Sequence, residues 1–421
     1  MSCLSFELNA NHLLFFLIFI IYYIRYYILI LNTYDENETQ VERKFVNMYI
    51  YVISNLLSTI LFIIEKIRSR RKNKQKFKKG EVKQKKSNKS LNIELIYEEY
   101  SPVNKCLLFL RILMVSITDL AAQYFVFIFY IFFEVDMIQC DFILIFSILS
   151  KYLFSRLLLK ADYYKHHHLS ILMNILGLIL IGITDIRRLY ENWSLNIIYF
   201  ILIKLFCTIC YSLEDVIGKK TLNGDFLSPI SILFYKGIIE SIILLIGSIP
   251  FFFIQVNNKN IFSIFISRFD EKYNIYPIFL LMFFNFLYNL LIWLINDKFS
   301  PNHLAMAMII EGITEKIHIL IFDLDKFKEN LYISIYEVAI YIILIIGAFI
   351  HNEILILNFC GLSEYTTKNL KIKSDEDFKY ANKKTFNTSF NNEESRDTKE
   401  IRDSKDIDMT EHSINFSTNN L

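Results

Sequence analysis

Long apolar runs separated by short polar links dominate the chain. Residues 46–64 carry no charge, residues 169–184 carry none, and residues 237–253 contain only Glu240. The hydrocarbon core of a bilayer is about 30 Å thick and needs about 20 apolar residues in a helix to cross it. These runs therefore predict membrane-spanning helices rather than the core of a soluble domain.

Hydropathy over windows of about 19 residues predicts ten spans. They are residues 13–31, 47–64, 107–133, 138–154, 168–184, 195–213, 228–253, 275–296, 302–322 and 331–350. The expected fold class is an all-α polytopic membrane protein, and ten spans divide into two inverted five-helix repeats. The expected halves are residues 13–190 and 191–357, which follow a short N-terminal segment of residues 1–12.

The loop between the second and third spans sets the predicted orientation. Residues 65–103 hold 13 Lys or Arg against five Glu and have no apolar pattern, so we expect a disordered cytosolic loop. The N-terminus then lies in the cytosol, and an even number of spans also places the polar tail, residues 358–421, there.

Local similarities support the division into two halves. Residues 151–182 and 318–347 both consist of a span, a short polar link and a second span that ends near a glycine. The segments "LSPI" (227–230) and "FSPN" (299–302) each place a serine before a proline. Serine is a good N-cap and proline suits the first helical position, so both segments predict helix starts.

Composition and charge narrow the function classes. The chain is 54% hydrophobic and has a net charge of +2, with its basic residues in loops beside spans, so no nucleic-acid partner is expected. Cys207 and Cys210 lie in an apolar helix, which favours packing over metal or redox chemistry. No cofactor is predicted.

The histidine triplet 166–168 raises the question of a metal site. Consecutive histidines are expected to point in different directions, and no nearby cysteine or paired carboxylate completes a set of four ligands. Packing at the membrane interface is therefore the favoured interpretation, and no metal is predicted.

Ionisable side chains within two spans are the main candidate site. Lys236 and Glu240 are four residues apart in span seven, and Glu311, Glu315 and His318 share one face of span nine. A charge at the bilayer centre costs about 3 kcal/mol or more, so it faces a cavity or a partner. Two interpretations remain open: a site for a cation or a coupling proton, and a buried ion network that joins the two spans.

Span three carries a second candidate set. Arg111, Asp119 and Gln123 recur along this helix, and Asp119 is the most deeply placed of the three. Pairing of Asp119 with Lys204 or another basic residue is the slightly favoured interpretation.

Span eight adds a pair of asparagines. Asn285 and Asn289 are four residues apart, so their amides share one helix face. Hydrogen bonds between helices are favoured over contacts with a solute.

Four stretches resemble the drug/metabolite transporter superfamily, that is, EamA-like and solute carrier 35-like proteins, with some likeness to the chloroquine-resistance-transporter-like branch. They are "DLAAQYFVF" (119–127), "LLLKADYYKHHHLSILMNILGLILIG" (157–182), "CYSLEDVIGKKTLNGDFLSPISILFYKGIIESI" (210–242) and "INDKFSPNHLAMA" (295–307). The resemblance covers about residues 13–350. It implies ten helices and alternating-access transport of small organic solutes.

The expected function is therefore an integral membrane solute carrier, and the glutamate pair offers a route for proton coupling. A scaffold with a structural ion network is the alternative. An enzyme is not expected, because no compact catalytic motif occurs at a predicted membrane face. The expected partners are a small-molecule solute and the lipid bilayer of an endomembrane or the plasma membrane.

The predicted orientation places Asn37-Glu38-Thr39, a glycosylation acceptor, on the non-cytosolic side. After expression in eukaryotic cells, we expect a glycosidase-sensitive gel shift that the Asn37→Gln variant loses. The acceptors at Asn88 and Asn387 lie on the predicted cytosolic side and serve as controls. A glycan on either of these two would contradict the orientation.

Overall fold

The computed structural model describes residues 4–6, 10–32, 40–71, 105–133, 141–191, 195–224, 227–249, 255–256, 259–260, 275–309, 331–364, 366 and 369. The chain divides into two units, Met1–Ser363 and Glu364–Leu421. Every feature below belongs to the first unit.

Helices dominate the described residues. In chain order they are α1 (Leu13–Asn32), α2 (Gln40–Asn55), α3 (residues 58–71), α4 (Lys105–Phe133), α5 (Leu144–Leu158), α6 (Lys165–Glu191), α7 (Leu195–Gly224), α8 (Pro229–Ser248), α9 (Ile275–Lys298), α10 (residues 301–309) and α11 (Leu331–His351). The protein is thus an all-α polytopic membrane protein in its fold class.

Two short antiparallel pairs accompany the helices. Strand β1 (Leu4–Phe6) pairs with β4 (Leu355–Leu357), and β2 (Gln255–Val256) pairs with β3 (Lys259–Asn260). The β1–β4 pair holds the segment before α1 beside the segment after α11.

Seven described helices are long and apolar enough to cross a membrane, and each matches a predicted span. They are Val46–Arg71, Cys106–Val126, Lys165–Ile186, Ile197–Gly224, Pro229–Gly247, Tyr276–Lys298 and Leu331–His351. Helices α1 and α5 overlap the predicted first and fourth spans, although α5 begins six residues later and ends four residues later than predicted, and α10 opens the ninth. For these three, membrane crossing stays a prediction.

The distribution of side chains on α8 is opposite to that of a soluble protein. Its outer face exposes Ile242, Leu245 and Ile246 by 53%, 71% and 62%. Its inner face buries Lys236 and Glu240. Apolar groups outside and charges inside are the arrangement that hydrocarbon solvent favours, because an ion facing lipid would lose its hydration.

Both serine–proline helix starts are confirmed. Ser228 is the N-cap of α8, where its Oγ accepts a hydrogen bond from the Ser231 backbone N–H at 3.1 Å and Pro229 opens the helix. Pro301 opens α10 in the same way, while the Ser300 hydroxyl contacts His303 Nδ1 at 2.7 Å.

Helix pairs pack closely around glycines. A Cβ atom built on Gly218 of α7 would lie 2.4 Å from the ring of Trp293, a side chain of α9 that is only 2% exposed. The missing side chain therefore makes room for the indole, which belongs to an apolar cluster with Val115, Leu222 and Leu233.

We expect Gly218→Ala to lower the stability of the bundle by about 1–3 kcal/mol through overpacking against Trp293. This loss should outweigh the helix-propensity gain of about 1 kcal/mol from replacing glycine. Thermal unfolding in detergent measures the difference. The matched control is Gly224→Ala, whose Cβ would meet only Arg111 Nη1 at 3.4 Å. Equal melting points for the two variants would contradict the packing argument.

Candidate functional site: a buried ion cluster

Lys236 of α8 lies at the centre of a cluster of buried charged side chains, which we call the ion cluster. Its Nζ is 2.6 Å from Asp119 Oδ2 of α4, 2.5 Å from Glu214 Oε1 of α7 and 3.5 Å from Glu240 Oε1, one turn further along α8. Lys236 is 2% exposed and Glu240 is fully buried. Three helices thus bring their charges to one point inside the bundle.

The ion cluster lies deep within its spans. At 1.5 Å per residue, Lys236 and Glu240 lie about 11 and 17 Å along α8 from Pro229. The middle of a hydrocarbon core about 30 Å thick is therefore close to both.

Amide and hydroxyl groups complete the shell around the carboxylates. Asn55 Nδ2 donates to Glu240 Oε2 at 3.0 Å, and Asn55 Oδ1 accepts from Asn289 Nδ2 at 2.7 Å. The Tyr51 hydroxyl donates to Asp119 Oδ2 at 3.4 Å. Asn55 thereby links the ion cluster to α9, using the donor and the acceptor of one amide.

The second span is broken beside this asparagine. Helix α2 ends at Asn55, and the backbone N–H groups of Leu56 and Leu57 donate to carbonyls three residues back, both at 3.0 Å. Helix α3 then resumes at residue 58. Gly237 of α8 faces the break, where a Cβ atom would lie 3.0 Å from Asn55 Cβ and 3.2 Å from its carbonyl oxygen. Glycine thus allows α8 to approach the break closely.

The ion cluster contains more acids than bases among the described residues. Three carboxylates surround the single Lys236 ammonium, so full ionisation would leave two negative charges in excess. The neighbouring pair Lys151–Asp215, at 2.7 Å, is balanced and supplies no surplus positive charge. A low-dielectric interior makes such an excess costly unless a proton or another cation compensates it.

Two carboxylate oxygens in the ion cluster lack a hydrogen bond among the described residues: Glu240 Oε1, which lies 3.5 Å from the Lys236 ammonium, and Asp119 Oδ1. Within the described part of the chain, Asn285 Oδ1 on α9 has no hydrogen-bond partner either. Buried acceptors are normally satisfied, so Asp119 Oδ1 and Asn285 Oδ1 mark positions where a donor would be stabilised.

The structure brings several predicted residues together. Lys236, Glu240 and Asp119 meet in the ion cluster, and Asn289 joins through Asn55. The interhelical hydrogen bond expected of the asparagine pair is confirmed for Asn289, while Asn285 is buried nearby on the same helix.

Other predicted residues lie elsewhere. Gln123 Nε2 donates to the Tyr211 hydroxyl of α7 at 2.9 Å. Arg111 lies beside Gly224, ten residues beyond Glu214 on α7, and so about 15 Å along the helix. Glu311, Glu315 and His318 fall outside the described residues, so the predicted link between spans seven and nine stays a prediction.

The favoured interpretation of Asp119, pairing with a basic residue, is confirmed. That residue is Lys236, and the Lys204 ammonium lies 5.6 Å from the centre of the Phe200 ring. Lys236 also contacts Asp119 and Glu214 more closely than Glu240, its neighbour along the helix. Pairs along one helix are easy to infer from spacing, whereas the shorter contacts here come from other helices.

Sequence reasoning missed Glu214, Asn55 and Tyr51. The predicted sixth span ended at residue 213 because hydropathy falls at Glu214 and Asp215, yet α7 continues to Gly224. Both acids are buried against lysines, so the helix carries them inside the bundle. The predicted second span likewise ended at residue 64, whereas its helix continues to Arg71.

The two cysteines of α7 pack as expected. Cys207 and Cys210 are buried free thiols in a cluster with Ala122 of α4, and Cys207 Sγ contacts the Ala122 carbonyl oxygen at 3.4 Å.

Comparisons with known proteins assign no family. No family model matches the chain, and no curated protein matches it. One solved structure, described only as "Crystal structure of protein", has 11% sequence identity and a TM-score of 0.47. It covers 82% of this chain and 97% of its own length.

We expect Lys236→Met to destabilise the protein by about 3–5 kcal/mol, because it leaves three buried carboxylates without their cation. Thermal unfolding and size-exclusion profiles in detergent measure the loss. Adding Asp119→Asn to this variant should recover part of it by removing one negative charge.

The control is Lys220→Met, which removes an exposed lysine of α7. It should retain nearly the stability of the unmodified protein. Similar melting points for the two lysine variants would contradict the central role of Lys236.

Proposed function

We propose that the protein is a solute carrier that moves a small organic solute across a membrane by alternating access, with the ion cluster as its binding and coupling site. The proposed architecture has ten spans in two inverted five-helix repeats, residues 13–190 and 191–357. The resemblance to the drug/metabolite transporter superfamily points in the same direction.

The pattern of helix packing supports the repeat. In the proposed numbering, spans one to ten are α1, α2 with α3, α4, α5, α6, α7, α8, α9, α10 and α11. A two-fold axis between the halves would exchange each span with the span five places away, that is, α1 with α7, α2 with α8, α4 with α9, α5 with α10 and α6 with α11. Under this exchange a contact between two helices should have a counterpart in the other half. The contact α4–α7 corresponds to α9–α1, α2–α9 corresponds to α8–α4, and α8–α9 corresponds to α2–α4. All six of these helix pairs are in contact.

The same exchange relates three further pairs. The pairs α2–α8 and α6–α11 each map onto themselves, as helices beside a two-fold axis would. The pair α5–α7 becomes α10–α1, and residues of both these helices, Phe15 and Leu304 among them, share one apolar cluster. Inverted repeats have their binding sites near the midplane at their interface. In the proposed arrangement, helices of both halves, α2 and α4 from one and α7, α8 and α9 from the other, surround the ion cluster, which supports its assignment as the site.

The surplus of carboxylates in the ion cluster is the observation that supports transport most directly. A cationic group or a proton would supply the missing positive charge, and the unpartnered Asp119 Oδ1 is an acceptor available to it. The break after Asn55 adds a second feature, because transporters build midplane sites from interrupted helices. A cationic solute, or a solute moved together with a proton, follows as the proposed cargo.

The proposed mechanism uses Lys236 as an internal counter-ion. In the unloaded protein its ammonium holds the carboxylates of α4, α7 and α8 together. A bound cation would compete for the same oxygens and weaken those contacts between helices. Cation binding would thereby loosen the contacts between helices whose relative movement opens the site to either side of the membrane.

A scaffold remains the second candidate. Its support is that all three carboxylates already contact Lys236, so a locked ion network also accounts for their burial. A scaffold would need the ion cluster for stability alone and would move no solute.

No catalytic or cofactor role forms part of the proposal. The proposed partners are the solute and the lipid bilayer, and the proposed position of both termini is cytosolic.

We expect Glu240→Gln to reduce uptake into proteoliposomes by at least about tenfold, the factor that corresponds to 1.4 kcal/mol. Glutamine keeps the shape and one acceptor for Asn55 but removes the charge that binds a cation. Uptake is measured for labelled amines, amino acids, peptides and nucleotide sugars across a range of external pH.

The matched control is Glu337→Gln, which changes a buried glutamate of α11 that accepts a hydrogen bond from Thr184 at 3.3 Å. This variant should transport normally. If the unmodified protein moves none of these solutes at any pH, the carrier proposal fails and the scaffold is favoured. If both variants transport equally, the ion cluster is not the binding and coupling site.

A further inference from the structure

Histidines from three distant parts of the chain meet at one end of the bundle. His166 and His167 open α6, His303 lies in the first turn of α10, and His351 ends α11. Their rings form a contiguous group: the ring centres of His167 and His351 are 4.9 Å apart, and those of His303 and His351 are 4.6 Å apart. This group, together with Glu353, is called the histidine site below.

The donor atoms of the histidine site converge. One nitrogen from each of His167, His303 and His351 lies within 4.8 Å of the others, and the same limit holds for the donors of His166, His167 and Glu353. His166 Nε2 is 3.1 Å from His167 Nε2. Two nitrogens on one tetrahedral Zn²⁺ ion, each about 2.0–2.1 Å from the metal, are about 3.3 Å apart. The expectation that neighbouring histidines point apart is therefore wrong for this pair.

Hydrogen bonds at the Nδ1 atoms of His167 and His303 decide which ring nitrogens can bind a metal ion. His167 Nδ1 accepts a hydrogen bond from the Tyr164 backbone N–H at 3.2 Å, and His303 Nδ1 contacts the Ser300 hydroxyl at 2.7 Å. The lone pair of His167 Nδ1 is thus engaged, so the neutral His167 ring carries its proton on Nε2, and a metal ion at His167 would have to displace one of these two hydrogens. When His303 Nδ1 donates to the Ser300 hydroxyl, His303 Nε2 keeps its lone pair and is free to bind. Metal-binding histidines are commonly oriented by such a contact at the other ring nitrogen.

His351 supplies a second, independent observation. It is fully buried, and neither ring nitrogen has a hydrogen-bond partner among the described residues. A neutral imidazole carries one donor and one acceptor, and leaving both unmade in the interior is costly. A metal ion coordinated by one of these nitrogens would satisfy it directly.

We propose that the histidine site binds a divalent transition-metal ion of the Zn²⁺ class through His167, His303 and His351. His166 is the adjacent fourth donor, and Glu353 Oε1, 3.5 Å from His166 Nε2, adds a carboxylate beside the ion. Imidazole nitrogens suit zinc and its neighbours, whereas Mg²⁺ and Ca²⁺ prefer oxygen. The ion would clamp together the ends of α6, α10 and α11.

This site is separate from the ion cluster and does not rest on the proposed transport function. The ligands come from helices five, nine and ten in the proposed numbering, whereas the charges of the ion cluster come from helices three, six and seven. A metal-binding test can therefore succeed or fail whether or not the protein moves a solute.

The test uses full-length, tag-free protein in detergent, treated with a chelator and then titrated with Co²⁺. We expect one equivalent of Co²⁺ to give the intense visible absorption of a tetrahedral site, and one equivalent of Zn²⁺ to abolish it. Loss of a group that only hydrogen-bonds to a ligand costs about 10–100-fold in metal affinity. His303→Gln and His351→Gln remove a ligand itself, so each should lower the metal affinity about a hundredfold or more.

The matched control is His168→Gln, since His168 is the exposed neighbour of His167 and lies outside the histidine site. It should bind Zn²⁺ as the unmodified protein does. Ser300→Ala keeps every ligand and therefore tests the site even if a histidine variant does not fold. We expect it to lower the metal affinity about tenfold, because it removes the contact at His303 Nδ1. The proposal is overturned if the unmodified protein takes up no stoichiometric metal, or if His168→Gln weakens binding as much as His303→Gln.

Discussion

The pairing of Lys236 with three carboxylates is the constraint on which the arrangement of the central helices depends. An unpaired ion inside a membrane protein costs several kcal/mol, so an ammonium placed on α8 requires acids from its neighbours. Asp119 and Glu214 meet this requirement from α4 and α7. Lipid accepts any apolar face, so apolar surface alone does not fix how a helix is rotated about its axis. The ion pairs do fix it, because turning α4 or α7 by one residue, about 100°, would move its carboxylate away from the ammonium.

The same constraint explains the local geometry around Asn55. Its amide donates to Glu240 and accepts from Asn289, so it satisfies one neighbour that offers only acceptors and another that offers a donor. An aspartate at this position would add a fourth negative charge, and a leucine would remove the hydrogen bonds to Glu240 Oε2 and from Asn289 Nδ2. The amide reaches both because the second span breaks at this point and Gly237 lets α8 come close. The ion cluster, the helix break at Asn55 and the close approach at Gly237 thus depend on one another.

The parts of this fold that depend on neighbours in the sequence were predictable, and the parts that depend on distant contacts were not. Seven spans and the Ser228 cap follow from hydropathy and from the chemistry of four residues in a row. The Lys236–Glu240 contact follows from helical spacing. Hydropathy puts Glu214 outside the predicted sixth span, because a charged residue lowers the hydropathy of its window whether or not it has an ion-pair partner in the fold. The histidine site needs residues more than 130 positions apart, and spacing carries no information about such distances.

The two sites engage different sets of helices. The ion cluster joins α4, α7 and α8 and reaches α2 and α9, whereas the histidine site joins α6, α10 and α11. Helix α5 lies between the two sets, and its buried Lys151 contacts Asp215 of α7 at 2.7 Å and Met308 Sδ of α10 at 3.6 Å. Alternating access requires two groups of helices to move against each other around a site at the midplane. If the proposed function holds, a metal ion would stiffen one group at its end, cation binding would loosen the other, and Lys151 would lie where they meet.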